Sequence, residues 1–181
     1  MPTKTFLRKK ILKKRRAIPP GVRRAKSCKI FSKLFKEPLF KEAYHVALYC
    51  GIAPEVITRS FLKKILKDKK VYLPQTDPVR KNLKLRRVRM IPADLRKGPY
   101  GIMEPKVSCP VRSAARMDLI LVPGVAFDRQ GGRLGRGAGY YDRLLRKARR
   151  VPKIGLCFRE QLVKKIPVKQ HDMSVDRVIT D

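Results

Sequence analysis

The sequence predicts an α/β protein whose mostly parallel central sheet is covered by helices. Two apolar runs, Tyr44-His45-Val46-Ala47-Leu48-Tyr49-Cys50 and Leu119-Ile120-Leu121-Val122-Pro123, lack the alternation of a half-exposed strand and read as strands buried on both faces. Segments at helical spacing lie between these and further short strands, the order expected of strand–helix crossovers. No internal repeat and no long linker divides the 181 residues. The expectation is therefore one domain over residues 1–181, with basic N-terminal helices at about 3–35 packed on the α/β core.

The elements follow in order. Thr3 is placed to cap a helix from about Lys4 to Arg16, with Leu7, Ile11 and the neighbouring Phe6 and Leu12 as its inner stripe. Pro19-Pro20-Gly21 breaks it. A second helix follows, with Ala25, Cys28, Phe31 and Phe35 on one side, and Glu37-Pro38 ends it. Past the first buried strand, Pro54 to Asp68 places Ile57, Phe61 and Ile65 at helical spacing, with Leu62 and Leu66 alongside. Val71 to Pro74 is a brief strand. Between Lys84 and Met90, Leu85, Val88 and Met90 alternate imperfectly with arginines, as in an exposed or edge strand. Beyond the second buried run come a glycine-rich loop and a helix from about Tyr140 to Arg149, with Tyr141, Leu144, Leu145 and Ala148 inward. Lys153 to Phe158 and Val178-Ile179-Thr180 close the chain as strands.

Lys and Arg number 46 against 14 Asp and Glu, a formal net charge of +32. Hydrophobic residues make up 43%, enough for a core, which excludes a disordered tail. No apolar run approaches the roughly 18 residues of a membrane-spanning helix. The charge points to a polyanionic partner, whether nucleic acid, nucleotide or polyglutamate tail, although a thermophile surface carries a similar excess. Cys28, Cys50, Cys109 and Cys157 form no C-x-x-C pair, and only His45 and His171 could assist a metal. Four reduced, mostly buried thiols in a cytoplasmic protein are expected. Through Lys36 the chain carries no acid, which superficially resembles a mitochondrial presequence.

The chemistry concentrates between Asp118 and Asp142, in DLILVPGVAFDRQGGRLGRGAGYYD. Gly124, Gly131, Gly132, Gly135, Gly137 and Gly139 fall there, out of 11 glycines in the chain. Glycines between a buried strand and a helix let backbone N–H groups approach a ligand, and the helix N-terminus points back at the loop. Arg133 and Arg136 add full positive charge, so the segment reads as a cradle for phosphates. No Gly-Lys-Ser/Thr exists to make a Walker loop. Gly135-Arg136-Gly137-Ala138-Gly139 also starts too far past Pro123 for a dinucleotide fingerprint. A carboxylate beside bound phosphates needs a cation between them, so Asp142 suggests Mg²⁺, with His171-Asp172 offering a second oxygen ligand; taken alone, an Asp in a first helical turn is more often a partner of the helix dipole. Lys4 and Arg8, four residues apart, can reach one anion from one helix face, but on so basic a helix such a pair is by default solvated surface.

The stretch PGVAFDRQGGRLGRGAGYYDR, residues 123–143, resembles the signature of the 5-formyltetrahydrofolate cyclo-ligase family. Lys4-Thr5-Phe6-Leu7-Arg8, Glu55-Val56-Ile57-Thr58, Tyr100-Gly101-Ile102-Met103-Glu104-Pro105 and His171-Asp172-Met173 resemble its other motifs, in the same order. The resemblance implies a three-layer α/β/α fold, CoA-transferase/ribose-phosphate-isomerase-like, and the ATP- and Mg²⁺-dependent cyclisation of 5-formyltetrahydrofolate to 5,10-methenyltetrahydrofolate with release of ADP and phosphate. In that reaction the formyl oxygen attacks the γ-phosphorus, the nitrogen at folate position 10 closes the ring, and phosphate leaves.

Carried over by position, the resemblance assigns ATP to Lys4, Thr5, Phe6, Leu7 and Arg8 and to the loop Arg133, Leu134, Gly135, Arg136, Gly137, Ala138, Gly139, Tyr140 and Tyr141. Arg136 to Tyr140 also border folate in it, together with Cys50 and Glu55, and Tyr100 is a candidate for stacking on the pterin. Arg133 and Arg136 are the expected catalytic cations, and Asp142 and Asp172 the Mg²⁺ positions. Ala138 stands where relatives usually carry Gly or Lys, so Arg136 is expected to supply the missing charge. The basic first helix becomes part of the active site rather than a cleaved leader. A monomer acting on folate, with or without a polyglutamate tail, and binding no specific nucleic acid, is the reading; a non-enzymatic RNA- or DNA-binding protein on the same scaffold is the alternative.

Overall fold

A computed structural model describes residues 3–170 and 172–181. In chain order its elements are α1 (Lys4–Arg16), α2 (Pro20–Leu34), α3 (Pro38–Glu42), β1 (His45–Ala47), α4 (Leu62–Asp68), β2 (Lys70–Asp77), β3 (Asn82–Val88), β4 (Leu95–Lys97), β5 (Met103–Pro105), β6 (Val111–Arg112), β7 (Leu119–Val122), β8 (Ala126–Phe127), β9 (Arg133–Leu134), α5 (Tyr140–Arg146), β10 (Lys153–Cys157) and β11 (Arg177–Thr180). The main sheet runs β11-β10-β7-β1-β2-β3-β6. It is parallel from β11 to β2, and β3 and β6 continue it antiparallel. The mostly parallel α/β fold expected from the sequence is what forms.

The pleat explains the two-faced burial. In β7, Leu119 and Leu121 face one core with Val46, Leu48, Val71, Leu73, Ile154 and Leu156, against α2, α3 and α4. Ile120 and Val122 face the other, where Leu144, Leu145 and Ala148 close over the sheet from α5 and the turn after it. α1 stands apart from both, packing Leu7 and Ile11 on Ala126 and Leu134 of the β8–β9 hairpin. The Thr3 hydroxyl accepts the Phe6 amide at 3.2 Å, which fixes where α1 begins.

Five local expectations are corrected. Phe6, placed in the inner stripe of the first helix, is 55% exposed, because only the Leu7–Ile11 line meets the hairpin. In α2 the buried face is Ser27, Ile30, Phe31 and Leu34, and Cys28 is exposed. Ser27 can be buried because its hydroxyl donates to the Arg23 carbonyl at 2.8 Å and accepts the Ile57 amide at 3.1 Å. Pro54 to Thr58 is not helical; Thr58 accepts the Gly51 amide at 2.9 Å and donates to the Tyr49 carbonyl, so α4 starts only at Leu62. β3 is interior rather than edge. Its Arg86 is buried because Gln75 Oε1 at 2.6 Å and the Val107 and Cys109 carbonyls at 2.7 and 2.6 Å satisfy it. The predicted helix to Arg149 ends at Arg146.

The strand order places the site. From β1 the chain moves to β2 on one side, whereas β7, β10 and β11 build outward on the other. The sheet therefore has its topological switch between β1 and β7, the position where open α/β sheets form a crevice beyond the carboxyl ends of their strands.

Candidate active site

Tyr49 and Cys50 leave the end of β1, and Pro123 and Gly124 leave the end of β7. A cavity of about 450 Å³ opens between them. Ile52, Pro74, Leu83, Ile102 and Met103 give it apolar walls, Tyr100, Tyr140 and Tyr141 line it as aromatics, and Glu55 and Glu104 supply carboxylates. Across its mouth the Tyr100 and Tyr140 hydroxyls stand 3.2 Å apart, and Tyr100 is 58% exposed there. Glu104 is buried and engaged on one side by the Thr76 hydroxyl and, at 3.2 Å, the Thr76 amide.

Glu55 is held by two arginines. Arg136 Nη2 lies 2.7 Å from Glu55 Oε1, and Arg15 Nη2 lies 4.0 Å from the same oxygen. Arg15, in the last turn of α1, is 1% exposed, and its Nη1 donates to the Gly124 carbonyl at 3.3 Å. Burial pulls its pKa below the ordinary guanidinium range, and the Glu55 charge partly restores it. Sequence reasoning passed over Arg15, since an arginine among lysines on a basic helix carries no outward sign of being buried.

A second cavity, about 720 Å³, lies on the other side of the glycine-rich loop. Lys4, Thr5 and Arg8 of α1 line it, with Arg133, Arg143, Arg146 and Lys169 and the carboxylates Asp142 and Asp172. Arg133, Gly135, Gly137, Gly139 and Asp142 border both cavities, so the loop is a partition one residue thick in places. Two left-handed positions make that thinness possible: Gly137 at φ +113° and Gly139 at φ +69°, where a side chain would be strained. Arg8 Nε donates to the Gly135 carbonyl at 2.8 Å, which fastens α1 to the partition.

The charged groups of the partition are already set in place. The Arg133 side chain, 2% exposed, pairs through Nη2 with Asp142, whose Oδ1 also accepts the Met173 amide at 3.2 Å. Lys4 pairs with Asp172, which accepts the Lys169 amide at 2.6 Å. Behind them the buried Asp128 accepts the Gly132 amide at 2.8 Å, the Gln130 amide at 3.0 Å and the Ile166 amide at 2.9 Å. Asp128 is thus the clasp of the β8–β9 turn. Burial pushes the Cys50 thiol up to about 11 and holds the Tyr49 and Tyr141 hydroxyls above the usual phenol range, so none of them is an anion in the cavity.

The sequence-predicted residues thus divide. Lys4, Thr5, Arg8, Leu134 and Asp172 line the second cavity only, and Cys50, Glu55, Tyr100, Arg136, Ala138, Tyr140 and Tyr141 the first only. Phe6 and Leu7, expected at ATP, line neither: the helical turn that aims Lys4, Thr5 and Arg8 at the cavity sends Leu7 into the core and Phe6 to solvent. Arg136, expected both at phosphate and beside folate, lies 2.7 Å from Glu55 in the first cavity. Arg143, Arg146 and Lys169 are the cations that sequence reasoning left out. His171, named as part of the candidate metal position, lies outside the described residues. Among the described residues no cluster of three His, Cys, Asp or Glu could hold a metal alone. No helix of the described residues is long and apolar enough to cross a membrane.

Comparison with known proteins bears on this arrangement. Residues 1–181 match a family model described as the 5-formyltetrahydrofolate cyclo-ligase family. The 5-formyltetrahydrofolate cyclo-ligase of Saccharomyces cerevisiae is 31% identical over 99% of this chain and 95% of its own length. The NMR structure of Aquifex aeolicus 5,10-methenyltetrahydrofolate synthetase superposes with a TM-score of 0.88 at 40% identity, covering 97% of this chain and 88% of that one. The structure of a 5,10-methenyltetrahydrofolate synthetase from Mycoplasma pneumoniae superposes with a TM-score of 0.78 at 25% identity, covering 98% of each chain.

Proposed function

Because the chain belongs to the 5-formyltetrahydrofolate cyclo-ligase family and is an enzyme of that kind, we propose that it closes 5-formyltetrahydrofolate to 5,10-methenyltetrahydrofolate at the partition between the two cavities, using ATP. The observation that carries this reading is the pairing of an aromatic, carboxylate-bearing cavity with a cationic one across a wall that shares Arg133.

The pterin occupies the first cavity. Its flat ring meets tyrosines and aliphatic side chains, and its donor-rich edge meets the carboxylates Glu55 and Glu104. The triphosphate occupies the second, where Lys4, Arg8, Arg143 and Arg146 face it. The formyl oxygen then approaches the γ-phosphorus past the thin loop. A new oxygen–phosphorus bond forms as the bond to ADP breaks; the nitrogen at position 10 adds to the activated carbon and gives up its proton, and phosphate departs with the former formyl oxygen, carrying that proton as hydrogen phosphate. Nothing in this sequence calls for a protein nucleophile, which accords with thiols and phenols kept protonated by burial. The protein aligns two substrates and neutralises charge on the transferring group, and Arg133 is the cation best placed to do so.

Asp142 and Asp172 are the residues that would hold Mg²⁺. Both line the cationic cavity, and a pair of carboxylates suits an ion that completes its shell with water and phosphate oxygens. Each carboxylate now faces a cation, Arg133 or Lys4, which the phosphates would share. Bound there, Mg²⁺ would supply further neutralisation of the phosphate oxygens. The remaining readings are a monomeric cytoplasmic protein whose basic surface also attracts polyglutamate tails.

The test is spectrophotometric: methenyl-folate absorbance should rise when the protein meets 5-formyltetrahydrofolate with ATP and Mg²⁺, and stay flat without ATP. Turnover independent of ATP would overturn the proposal.

A further inference from the structure

A third cavity, about 580 Å³, lies away from the partition, where β2 begins and β3 ends. Tyr72 and Arg87 are paired across the two strands at its floor, and Thr76, at the edge of the pterin cavity, is four residues further along β2. That separates the two by about 13 Å of strand. Arg87, Arg89, Arg112 and Arg116 all line this third cavity, with Ser113 between them.

Among the described residues none of the four forms an ion pair, although Arg133, Arg136 and Arg177 elsewhere each hold a carboxylate. Arg8, Arg59 and Arg143 also lack carboxylate partners there, in so basic a chain; what sets these four arginines apart is that they share one cavity. Arg87 Nε is buried with no hydrogen-bond partner at all. Arg112 stands 6.0 Å over the Tyr72 ring, and its Nε donates only to the Arg116 carbonyl, at 3.2 Å. The neighbouring carboxylates are turned to backbone: Asp118 accepts the Tyr44 and His45 amides at 2.9 and 2.7 Å, and Asp94 the Arg89 and Met90 amides at 2.6 and 2.9 Å. Four like charges in one concavity repel each other, and an unpartnered buried N–H is costly, so both features are relieved by one guest: a multiply charged oxyanion.

We infer that the Arg87–Arg89–Arg112–Arg116 cavity is a second anion site, separate from the catalytic partition, which takes a phosphate-bearing ligand. Planar guanidinium forks suit phosphate oxygens bidentately, and a pocket of this volume accepts a short chain of phosphates or a phosphorylated small molecule. The same chemistry would receive a backbone phosphate of RNA.

Calorimetric titration of the full chain with sodium tripolyphosphate tests this. Two classes of site are expected. The double variant R87Q/R116Q should weaken one class about tenfold or more and leave folate turnover unchanged, whereas K4Q/R133Q should weaken the other. K9Q/K13Q, on the exposed face of α1, removes the same charge and should keep both classes. Titration of R87Q/R116Q indistinguishable from the unaltered chain, or equal weakening in K9Q/K13Q, would overturn the inference. If R87Q/R116Q fails to fold, the exposed Arg116→Gln alone serves, with a smaller loss in the same class. A single-stranded RNA oligonucleotide separates the ligand sources. RNA displaced by tripolyphosphate and weakened in R87Q/R116Q identifies nucleic-acid phosphate, and RNA unaffected by either identifies a small phosphorylated ligand.

Discussion

The two cavities beside the glycine-rich loop are built by opposite means. The cationic one draws on three compact stretches of sequence, the first turns of α1, the loop with α5, and Pro167 to Asp172, and few of its side chains are apolar. The aromatic cavity, where the pterin is proposed to bind, is assembled from scattered positions, with Tyr49 and Cys50 after β1, Pro74 and Thr76 in β2, Leu83 in β3, and Ile102 to Glu104 leading into β5. Charge recognition of a triphosphate tolerates flexible side chains on short elements, whereas a flat ring needs rigid walls, and rigid walls come from strands that several crossovers bring together.

The shared wall is where this comparison is broken most severely. Arg133→Gln should lower kcat roughly 100- to 1,000-fold, because among the described residues Arg133 is the cation common to both cavities. Steady-state kinetics with each substrate varied in turn checks this, and a change confined to one KM would show that Arg133 serves only one side. Lys4→Gln should act on one cavity alone, raising the KM for ATP about tenfold or more and leaving the KM for folate where it was. Glu55→Gln should do the reverse, raising the folate KM about tenfold with the ATP KM unmoved.

A subtler division is expected behind the aromatic cavity. Arg15→Met keeps the buried stem and removes a charge that is poorly solvated, so the melting temperature should move little while the folate KM rises several-fold through a less well-held Glu55. A large drop in melting temperature with unchanged KM would make Arg15 a purely structural residue. The smallest effect concerns thiols. At pH 8 iodoacetamide should modify exposed Cys28 without loss of activity, because burial pushes Cys50 up to about 11 and Cys157 up to about 12, and the reactive thiolates appear only as pH rises toward those values. Mass mapping of the alkylated peptides reads this directly.

The same contrast accounts for what could be read in advance. The buried runs Val46–Leu48 and Leu119–Val122 announced a parallel sheet, because nothing but burial on both faces tolerates such sequence. The loop announced itself by glycines and arginines in one stretch, whereas Lys4 and Arg8 were singled out by the family resemblance, since their spacing alone is equally that of a solvated basic face. Missed were features that depend on a distant partner. Arg86 and Arg15 look solvated in sequence, yet carbonyls and carboxylates from other segments bury them. The β4–β5 and β8–β9 hairpins have strands of two or three residues, too short for any periodicity to show. The resemblance set Arg136 beside both phosphate and folate, and its pairing with Glu55 could not be read from sequence because the two lie 81 residues apart.

Co-occupancy of the two cavities is measured most directly by titrating a non-hydrolysable ATP analogue into the enzyme already saturated with 5-formyltetrahydrofolate, and the reverse. Each ligand should bind with one-to-one stoichiometry in the presence of the other, and Lys4→Gln should weaken only the nucleotide. Mutual displacement would mean that the loop does not separate two sites, and the account of phosphoryl transfer across it would fail.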